Sequence, residues 1–370
     1  MQNGKISRTQ LMALLWAGTM APAAELLPAL LLPGAGRGAW LAVVLAAPLV
    51  LAAGWLLGGL AGREGLAKRI RGLLGRRLGG GVLLIYIVWA QILLSLRSWS
   101  CARRLLASGE REGASWALLL AVMAVLLWMV RGELAAFARA GQLFLAALLA
   151  TAGAVLLLSL PQAEPERLFP LWWPAAAPPI RAVLAAAGTV GWGLFTAFLL
   201  GEVADQGERE HWHWLFWGLG GVLLLAGAQA IIIGNLGAEL ASRLDSPFFA
   251  LAKSVGVEGA FQRVEGVVAA LWIFADLTMG GVLVFAVRAM AAEILPERAL
   301  PWVPWGSVLL GTAGALALFS APGRGELWTG QLVPGADLFL GLVLPGLLWI
   351  VERSRDRMGK GIISSGEEGR

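Results

Sequence analysis

The segment "LLWAGTMAPAAELLPALLLPG" (residues 14–34) is long and apolar enough to cross a bilayer, yet its middle carries Gly18, Thr19, Pro22 and Glu25. Glycine and proline weaken a helix, and a carboxylate is costly in hydrocarbon. Backbone groups that a weakened helix frees must face protein or a polar cavity, because lipid cannot hydrogen-bond them. The segment therefore predicts a spanning helix whose central part is enclosed by the protein and has a function.

The composition of the whole chain is that of an integral membrane protein. Of its 370 residues, 58% are hydrophobic and 14% are charged, and the mean hydropathy is +0.74. A soluble domain carries about 25% charged residues. The chain has 18 Trp and 1 Tyr, and amphipathic rings of this kind favour the membrane–water interface. Since the basic residues lie beside apolar runs, the net charge of +5 indicates membrane orientation rather than nucleic-acid binding.

Ten apolar runs approach the length of about 20 residues that a spanning helix needs. The predicted spans, numbered one to ten, are residues 9–32, 39–61, 81–106, 114–130, 140–160, 179–201, 214–236, 264–293, 302–320 and 332–351. Lys and Arg are more frequent in the loops that lie on the same side of the membrane as the N-terminus. With an even number of spans, both termini are therefore predicted to be cytoplasmic. We expect a single membrane domain over 1–370, with one repeat at about 9–160, a second at about 179–351 and a short cytoplasmic tail at 352–370.

Spans one and six share an unusual pattern. Span one reads "WAGTMAP" at 16–22, and span six reads "AAGTVGW" at 186–192. Each places Ala-Gly-Thr near its centre and follows it with another helix breaker, Pro22 or Gly191. The two spans are five apart in a ten-span chain, which is typical of inverted-repeat transporters in which the first helix of each half is broken. The alternative is that Gly and Pro are simply frequent in membrane helices.

A break in both helices would form a ligand site. The half-helix after each break offers its positive N-terminal end to a carboxylate, and the half before it offers carbonyl groups to an ammonium ion or a cation. A zwitterionic amino acid presents both groups. The paired breaks therefore favour an amino acid as the ligand.

Three ionisable residues lie inside predicted spans at similar depth, namely Glu25, Arg97 and Asp276. Charges at that depth are expected to face the interior of the bundle and to pair. A Glu25–Arg97 or Asp276–Arg97 bridge that holds the helices together is one interpretation, and a ligand contact or a protonation-coupled gate is the other. With two carboxylates and one guanidinium, one acid is expected to lack a basic partner and to be available for a proton, a cation or an amine.

Several segments recur, in order and spacing, in one known family. Residues 6–46 begin with Ile6, Ser7 and Gln10 of an Ile-Ser-x-x-Gln start and continue to a Gly-Arg-x-Ala-Trp-Leu motif at 36–41. The other similar segments are "VRGELAAFARAGQL" (130–143), "LFPLW" (168–172) and "LDSPFFALAKSVGVEGAFQRVEGVVAALWIF" (244–274). In these segments the chain resembles the B subunits of spore germinant receptors, the GerAB-type endospore germination permeases. One departure is Gly38, where the family usually has an acidic residue.

The resemblance implies an all-α membrane protein of the APC superfamily with a LeuT-like 5+5 inverted repeat and broken helices 1 and 6. Members recognise nutrients, often amino acids, in the inner membrane of the dormant spore, together with an A-type membrane subunit and a C-type lipoprotein. Carried over to this chain, the ligand site consists of Gly18, Thr19, Met20, Ala21, Gly188, Thr189, Val190, Gly191 and Trp192. The apolar side chains in this set favour a small or aliphatic amino acid.

Three functions remain open at this point. The first is a germinant-sensing subunit, the second is an amino acid transporter with Glu25 or Asp276 as the proton-coupling acid, and the third is a structural subunit that binds no nutrient. The sequence shows no nucleophile–His arrangement, no metal-ligand cluster and no phosphate loop. We therefore expect neither an enzyme nor a bound metal or cofactor.

Overall fold

The structure, a computed structural model, describes residues 4–108, 115–169, 179–204, 210–244, 246–254, 264–321 and 323–367. The α-helices in these ranges are α1 (Arg8–Ala35), α2 (Ala39–Leu45), α3 (Ala47–Ala61), α4 (Leu66–Ser108), α5 (Ser115–Val130), α6 (Leu134–Ser159), α7 (Pro179–Thr189), α8 (Glu210–Leu236), α9 (Ala238–Arg243), α10 (Pro247–Ser254), α11 (Val264–Ala292), α12 (Val303–Phe319), α13 (Arg324–Leu327), α14 (Val333–Leu338) and α15 (Leu344–Glu367). Short 3-10 and π-helical segments connect several of them.

Eight helical stretches in the described part of the chain are long and apolar enough to cross a membrane. The first, Arg8–Ala61, contains predicted spans one and two, whereas the helix Ser115–Val130 of span four is shorter than the others. Spans three, seven and eight correspond to α4, α8 and α11, and span ten begins with α14. The prediction of ten spans in two repeats therefore stays a prediction, while the all-helical architecture is as expected.

Span one is a continuous helix, and the predicted break in it is wrong. The helix α1 runs from Arg8 to Ala35 with Pro22 inside it. Proline has no amide hydrogen, so the carbonyl group of Gly18 loses its usual helical donor. One missing hydrogen bond does not unwind this helix, because α1 packs against α6, α7, α8 and α11 along its length. The segment "GTMAP" is thus a weakened point in an enclosed helix.

Span six is interrupted where its sequence predicts. The helix α7 ends at Thr189, Val190 forms a turn, and a 3-10 helix then runs over Gly191–Glu202. A 3-10 run rarely exceeds three or four residues, because its hydrogen bonds are less well aligned than those of an α-helix, and such a stretch inside a helix often marks a hinge. The 12-residue run here therefore makes the second half of span six suited to changing conformation.

The start of the chain is tied to the far end of span six. Ile6 is fully buried and pairs with Val203 in an isolated β-bridge, with the amide of Ile6 donating to the carbonyl of Glu202 at 3.0 Å. Ser7 then caps α1 in a capping box with Gln10, each side chain accepting from the other residue's amide. The Ile-Ser-x-x-Gln motif therefore starts α1 and anchors it beside the 3-10 helix.

Span ten is irregular around α14. A π-helical turn over Trp328–Leu332 precedes α14, and a second one over Phe339–Val343 follows it. Such turns are rare and occur frequently at functional sites. They bracket Asp337, which is buried in α14 with 1% of its surface exposed.

Candidate ligand site between spans one, six and ten

Four charged side chains form one ion-pair network between α1, α4 and α11. Nη2 of Arg97 donates to Oδ1 of Asp276 at 2.8 Å. Arg104 donates from one amino group to Glu25 and from the other to Asp276. Arg97 and Asp276 are buried, and Arg104 and Glu25 are mostly so. The network joins three helices by bonds that the membrane interior strengthens.

The expectation that one acid of this group lacks a basic partner is wrong. Arg104 lies two residues from the end of predicted span three, but α4 continues to Ser108, and Arg104 lies two helical turns along from Arg97 on the same face. The structure brings Glu25, Arg97 and Asp276 into one network. Arg97 pairs with Asp276, and Glu25 is joined to them through Arg104, which supplies a second guanidinium group. The network contains two arginines and two acids and is balanced in charge.

A cavity of about 100 Å³ lies between α1, α3, span six, α8 and span ten. Its lining includes Thr19 and Met20 of span one and Val190 and Gly191 at the interruption of span six. Allowing about 10–15 Å³ for each water-sized group, it has room for roughly seven to ten such groups. A space of this size can hold a small aliphatic group. We call it the larger cavity.

A second space of about 20 Å³ lies on the other side of span one, between α1, α4, span six, α11 and span ten. Arg97, Thr189 and Trp192 line it together with apolar side chains. It has room for one or two water-sized groups, roughly 10–15 Å³ each. We call it the smaller cavity.

Asp337 lines both cavities. Its Oδ1 accepts a 2.7 Å hydrogen bond from Nε1 of Trp89, and its Oδ2 is buried without a hydrogen-bond partner among the described residues. Gly191 allows this approach, because a Cβ atom there would lie 2.8 Å from Cβ of Asp337. The interruption of span six and this carboxylate therefore lie side by side.

Gly18 and Trp192, two of the predicted site residues, are packed against each other. A Cβ atom on Gly18 would lie 2.7 Å from Cη2 of Trp192 and 3.1 Å from the Cα atom of Met279. The indole ring therefore covers the centre of span one on the side of the smaller cavity. Trp192 is 3% exposed, and its Nε1 has no partner among the described residues.

The last two predicted site residues lie away from both cavities. Gly188 packs against span ten, where an added Cβ atom would be 2.1 Å from the carbonyl oxygen of Pro334. Ala21 lines a third space, of about 40 Å³, between α1, α6, α8 and α11. Six of the nine predicted residues therefore line the two cavities, and Gly18 contacts the wall of one.

Sequence reasoning missed Asp337 and Arg104. Arg104 lies two residues from the end of predicted span three and Asp337 lies within the first two turns of predicted span ten, where a charged side chain can ordinarily reach the interface. The signal for Asp337 was its position inside span ten, where it is flanked by Gly335 and Gly341 in an otherwise apolar run.

Comparison with known proteins supplies a family and a fold. The family described as spore germination protein matches residues 5–318. The crystal structure of MhsT in complex with L-phenylalanine has a similar fold, with a TM-score of 0.66 and 14% sequence identity over 94% of this chain and 89% of that chain. No match was found among curated protein sequences.

These findings agree with the helical architecture. The fold is the LeuT-like helical fold of an integral, multi-pass membrane protein, and fold and family together identify a permease-like protein rather than an enzyme. The segments that the sequence analysis compared with the germination permeases lie within the matched range. The chain belongs to the spore germination protein family.

Proposed function

We propose that this chain is the nutrient-sensing subunit of a spore germinant receptor and that it binds a small or aliphatic amino acid between spans one and six. The larger cavity carries the proposal, because it lies where span six is interrupted and faces Thr19 and Met20 of span one. Its lining is mainly apolar with few polar groups, as in most small-molecule sites. MhsT, whose fold is similar, is in complex with an amino acid, which supports this class of ligand.

The ligand acts by favouring one conformation of span six. A ligand shifts an equilibrium only through its different affinity for the two states. Contacts at Val190 and Gly191 would depend on whether the following segment is 3-10 or α-helical, because that change rotates every residue after the interruption. The far end of the 3-10 helix is bonded to Ile6, so a change at the site would reach the start of the chain.

The setting of the proposed sensor follows from the family resemblance. The protein would lie in the inner membrane of the spore with both termini in the cytoplasm. Its partners would be an A-type membrane subunit and a C-type lipoprotein, which detect the shift and trigger ion release.

Binding of an amino acid panel to the purified protein tests the proposal. We expect at least one small or aliphatic amino acid to raise the temperature of thermal unfolding in proportion to the logarithm of its concentration, as a ligand of the native state does. Absence of any stabilisation at millimolar concentrations contradicts the proposal.

A matched pair of variants locates the site. Ala53 and Ala52 are both half-buried in α3, but Ala53 alone of the two lines the larger cavity. Ala53→Phe should fill the cavity and abolish the stabilisation, and Ala52→Phe should leave it intact. Equal effects of the two substitutions would place the ligand elsewhere.

Transport is the second candidate function, and uptake into proteoliposomes separates it from sensing. Gradient-driven accumulation supports a transporter, and binding without flux supports a sensor. Glu25 and Asp276 are both bound by Arg104, so proton coupling through either acid would require an ion pair to break. A purely structural subunit, the third possibility, predicts that Ala53→Phe leaves the nutrient response of germinating spores unchanged.

A further inference from the structure

We propose that the two ends of the zwitterionic ligand are recognised by two side chains, the ammonium group by Asp337 and the carboxylate by Arg97. This inference rests on the proposed function and names the polar contacts of that site. Within the described residues, the smaller cavity is lined by one acidic and one basic side chain, which are these two. Each has a buried polar atom without a hydrogen-bond partner, Oδ2 of Asp337 and Nε of Arg97.

The unpaired atoms point to a ligand because buried polar groups are ordinarily satisfied. An unpaired buried acceptor or donor costs about 1–3 kcal/mol, and more if it is charged. Asp337 and Arg97 are 1% and 4% exposed, so bulk solvent does not satisfy them. An ammonium group supplies donors for Oδ2, and a carboxylate supplies an acceptor for Nε.

The charge balance of the core assigns the ammonium group to Asp337. Arg97 and Arg104 are matched by Glu25 and Asp276 in the ion-pair network. Asp337 receives only the neutral indole N–H of Trp89 among the described residues. A buried acid without a counter-charge is strongly unfavourable, and a positively charged amine beside Oδ2 provides that charge.

The carboxylate and the side chain of the ligand would occupy different cavities. Asp337 lines both, so an ammonium group on it stands between them. The smaller cavity has room for one or two water-sized groups, which suits the two oxygens of a carboxylate directed towards Arg97. The larger cavity then receives the side chain among Met20, Val190 and their apolar neighbours.

The test compares each amino acid with two analogues on the unaltered protein. The probes are L-alanine, L-valine and L-leucine, the corresponding carboxylic acids without the amine, and the corresponding carboxamides. Each charged contact that an analogue lacks should weaken binding about tenfold or more. An acid that binds as tightly as its amino acid overturns the role of Asp337, and a carboxamide that does so overturns the role of Arg97.

Variants then assign each preference to a residue. Asp337→Asn keeps an acceptor for Trp89, and it should reduce the preference for the amino acid over the amine-free acid to less than about threefold while preserving discrimination against the carboxamide. Arg97→Lys keeps a positive charge for Asp276. It should reduce the preference for the amino acid over the carboxamide to less than about threefold while preserving the preference over the amine-free acid. Glu293→Gln, which alters an acid paired with Arg71 outside the cavities, should retain both preferences.

The outcomes separate the two levels of the proposal. If an amino acid binds but Asp337→Asn retains the full preference over the amine-free acid, the assignment fails and the proposed function stands. If no amino acid binds the unaltered protein, the proposed function itself fails. If a variant does not fold, the analogue comparison on the unaltered protein still decides the assignment.

Discussion

Gly188 and Pro334 lie backbone to backbone, so that a Cβ atom on Gly188 would be 2.1 Å from the carbonyl oxygen of Pro334 and 2.6 Å from its carbonyl carbon. This contact fixes span ten against α7 and sets the position of Asp337 beside the interruption. A glycine is needed here for space rather than for its backbone freedom, since α7 is helical through Thr189.

Gly188→Ala should therefore destabilise the protein. Overpacking costs about 1–3 kcal/mol when side chains can adjust, and backbone atoms have less room to move, so we expect the upper end of that range. Thermal unfolding of the purified variant measures the effect. Gly335→Ala is the control, because an added Cβ atom there meets nothing within 4 Å. Unfolding of Gly188→Ala at the temperature of the unaltered protein would show that span ten moves away freely.

The ion-pair network gives a second prediction, centred on Arg104. Arg104→Gln removes the ion-pair partner of Glu25 and one of the two basic partners of Asp276. Breaking a buried pair by removing one member costs about 3–5 kcal/mol, because the other charge is left buried and uncompensated. We expect a large fall in unfolding temperature, and little change for Arg298→Gln, which alters an exposed arginine.

A double-mutant cycle distinguishes pairing from general damage. Glu25→Gln in the Arg104→Gln background removes the charge that the first substitution leaves unmatched. The double variant should therefore be more stable than the sum of the two single effects predicts, by about 0.5–3 kcal/mol. Additive effects would mean that the two side chains do not interact in the membrane.

The architecture could be predicted from the sequence because membrane-spanning helices are recognisable as long runs of apolar residues. The interruption of span six was also predictable, since Gly188 and Gly191 stand in the middle of an apolar run. The same reasoning failed for span one. Pro22 removes a single hydrogen bond, and whether the helix then unwinds depends on its neighbours, which a pattern within one segment does not contain.

The polar part of the site was harder to predict for a similar reason. Glu25, Arg97 and Asp276 stood out because they lie well inside their spans. Arg104 and Asp337 lie nearer the ends of their spans. Arg104 is enclosed because α4 continues beyond the predicted span, and Asp337 is enclosed because span ten packs closely against span six. Side chains from distant parts of the chain meet at the cavities, so tertiary packing rather than local sequence selects them.

Two buried tryptophans provide a third prediction, because their indole N–H groups have different surroundings. Nε1 of Trp89 donates to Asp337 at 2.7 Å, whereas Nε1 of Trp192 has no partner among the described residues. Trp89→Phe should destabilise the protein more than Trp192→Phe, by about 0.5–1.5 kcal/mol, which is the usual net range for a hydrogen bond. Denaturant or thermal unfolding of the two variants under identical conditions gives the difference. Equal losses would indicate that the bond to Asp337 adds nothing to stability.

A fourth prediction concerns Gln229, whose side chain is fully buried in α8 with both of its polar atoms unpaired among the described residues. Replacing a buried, unsatisfied amide by an apolar group of similar size removes a desolvation penalty of about 1–3 kcal/mol. Gln229→Leu should therefore raise the temperature of unfolding. Gln142→Leu is the control, because Oε1 of Gln142 accepts a hydrogen bond from Nε2 of Gln10 at 3.3 Å, and loss of that bond should leave stability unchanged or slightly lower. If Gln229→Leu instead lowers the unfolding temperature, the side-chain amide of Gln229 has a hydrogen-bond partner in the membrane. The surroundings of Gln229 are then more polar than its apolar neighbours indicate.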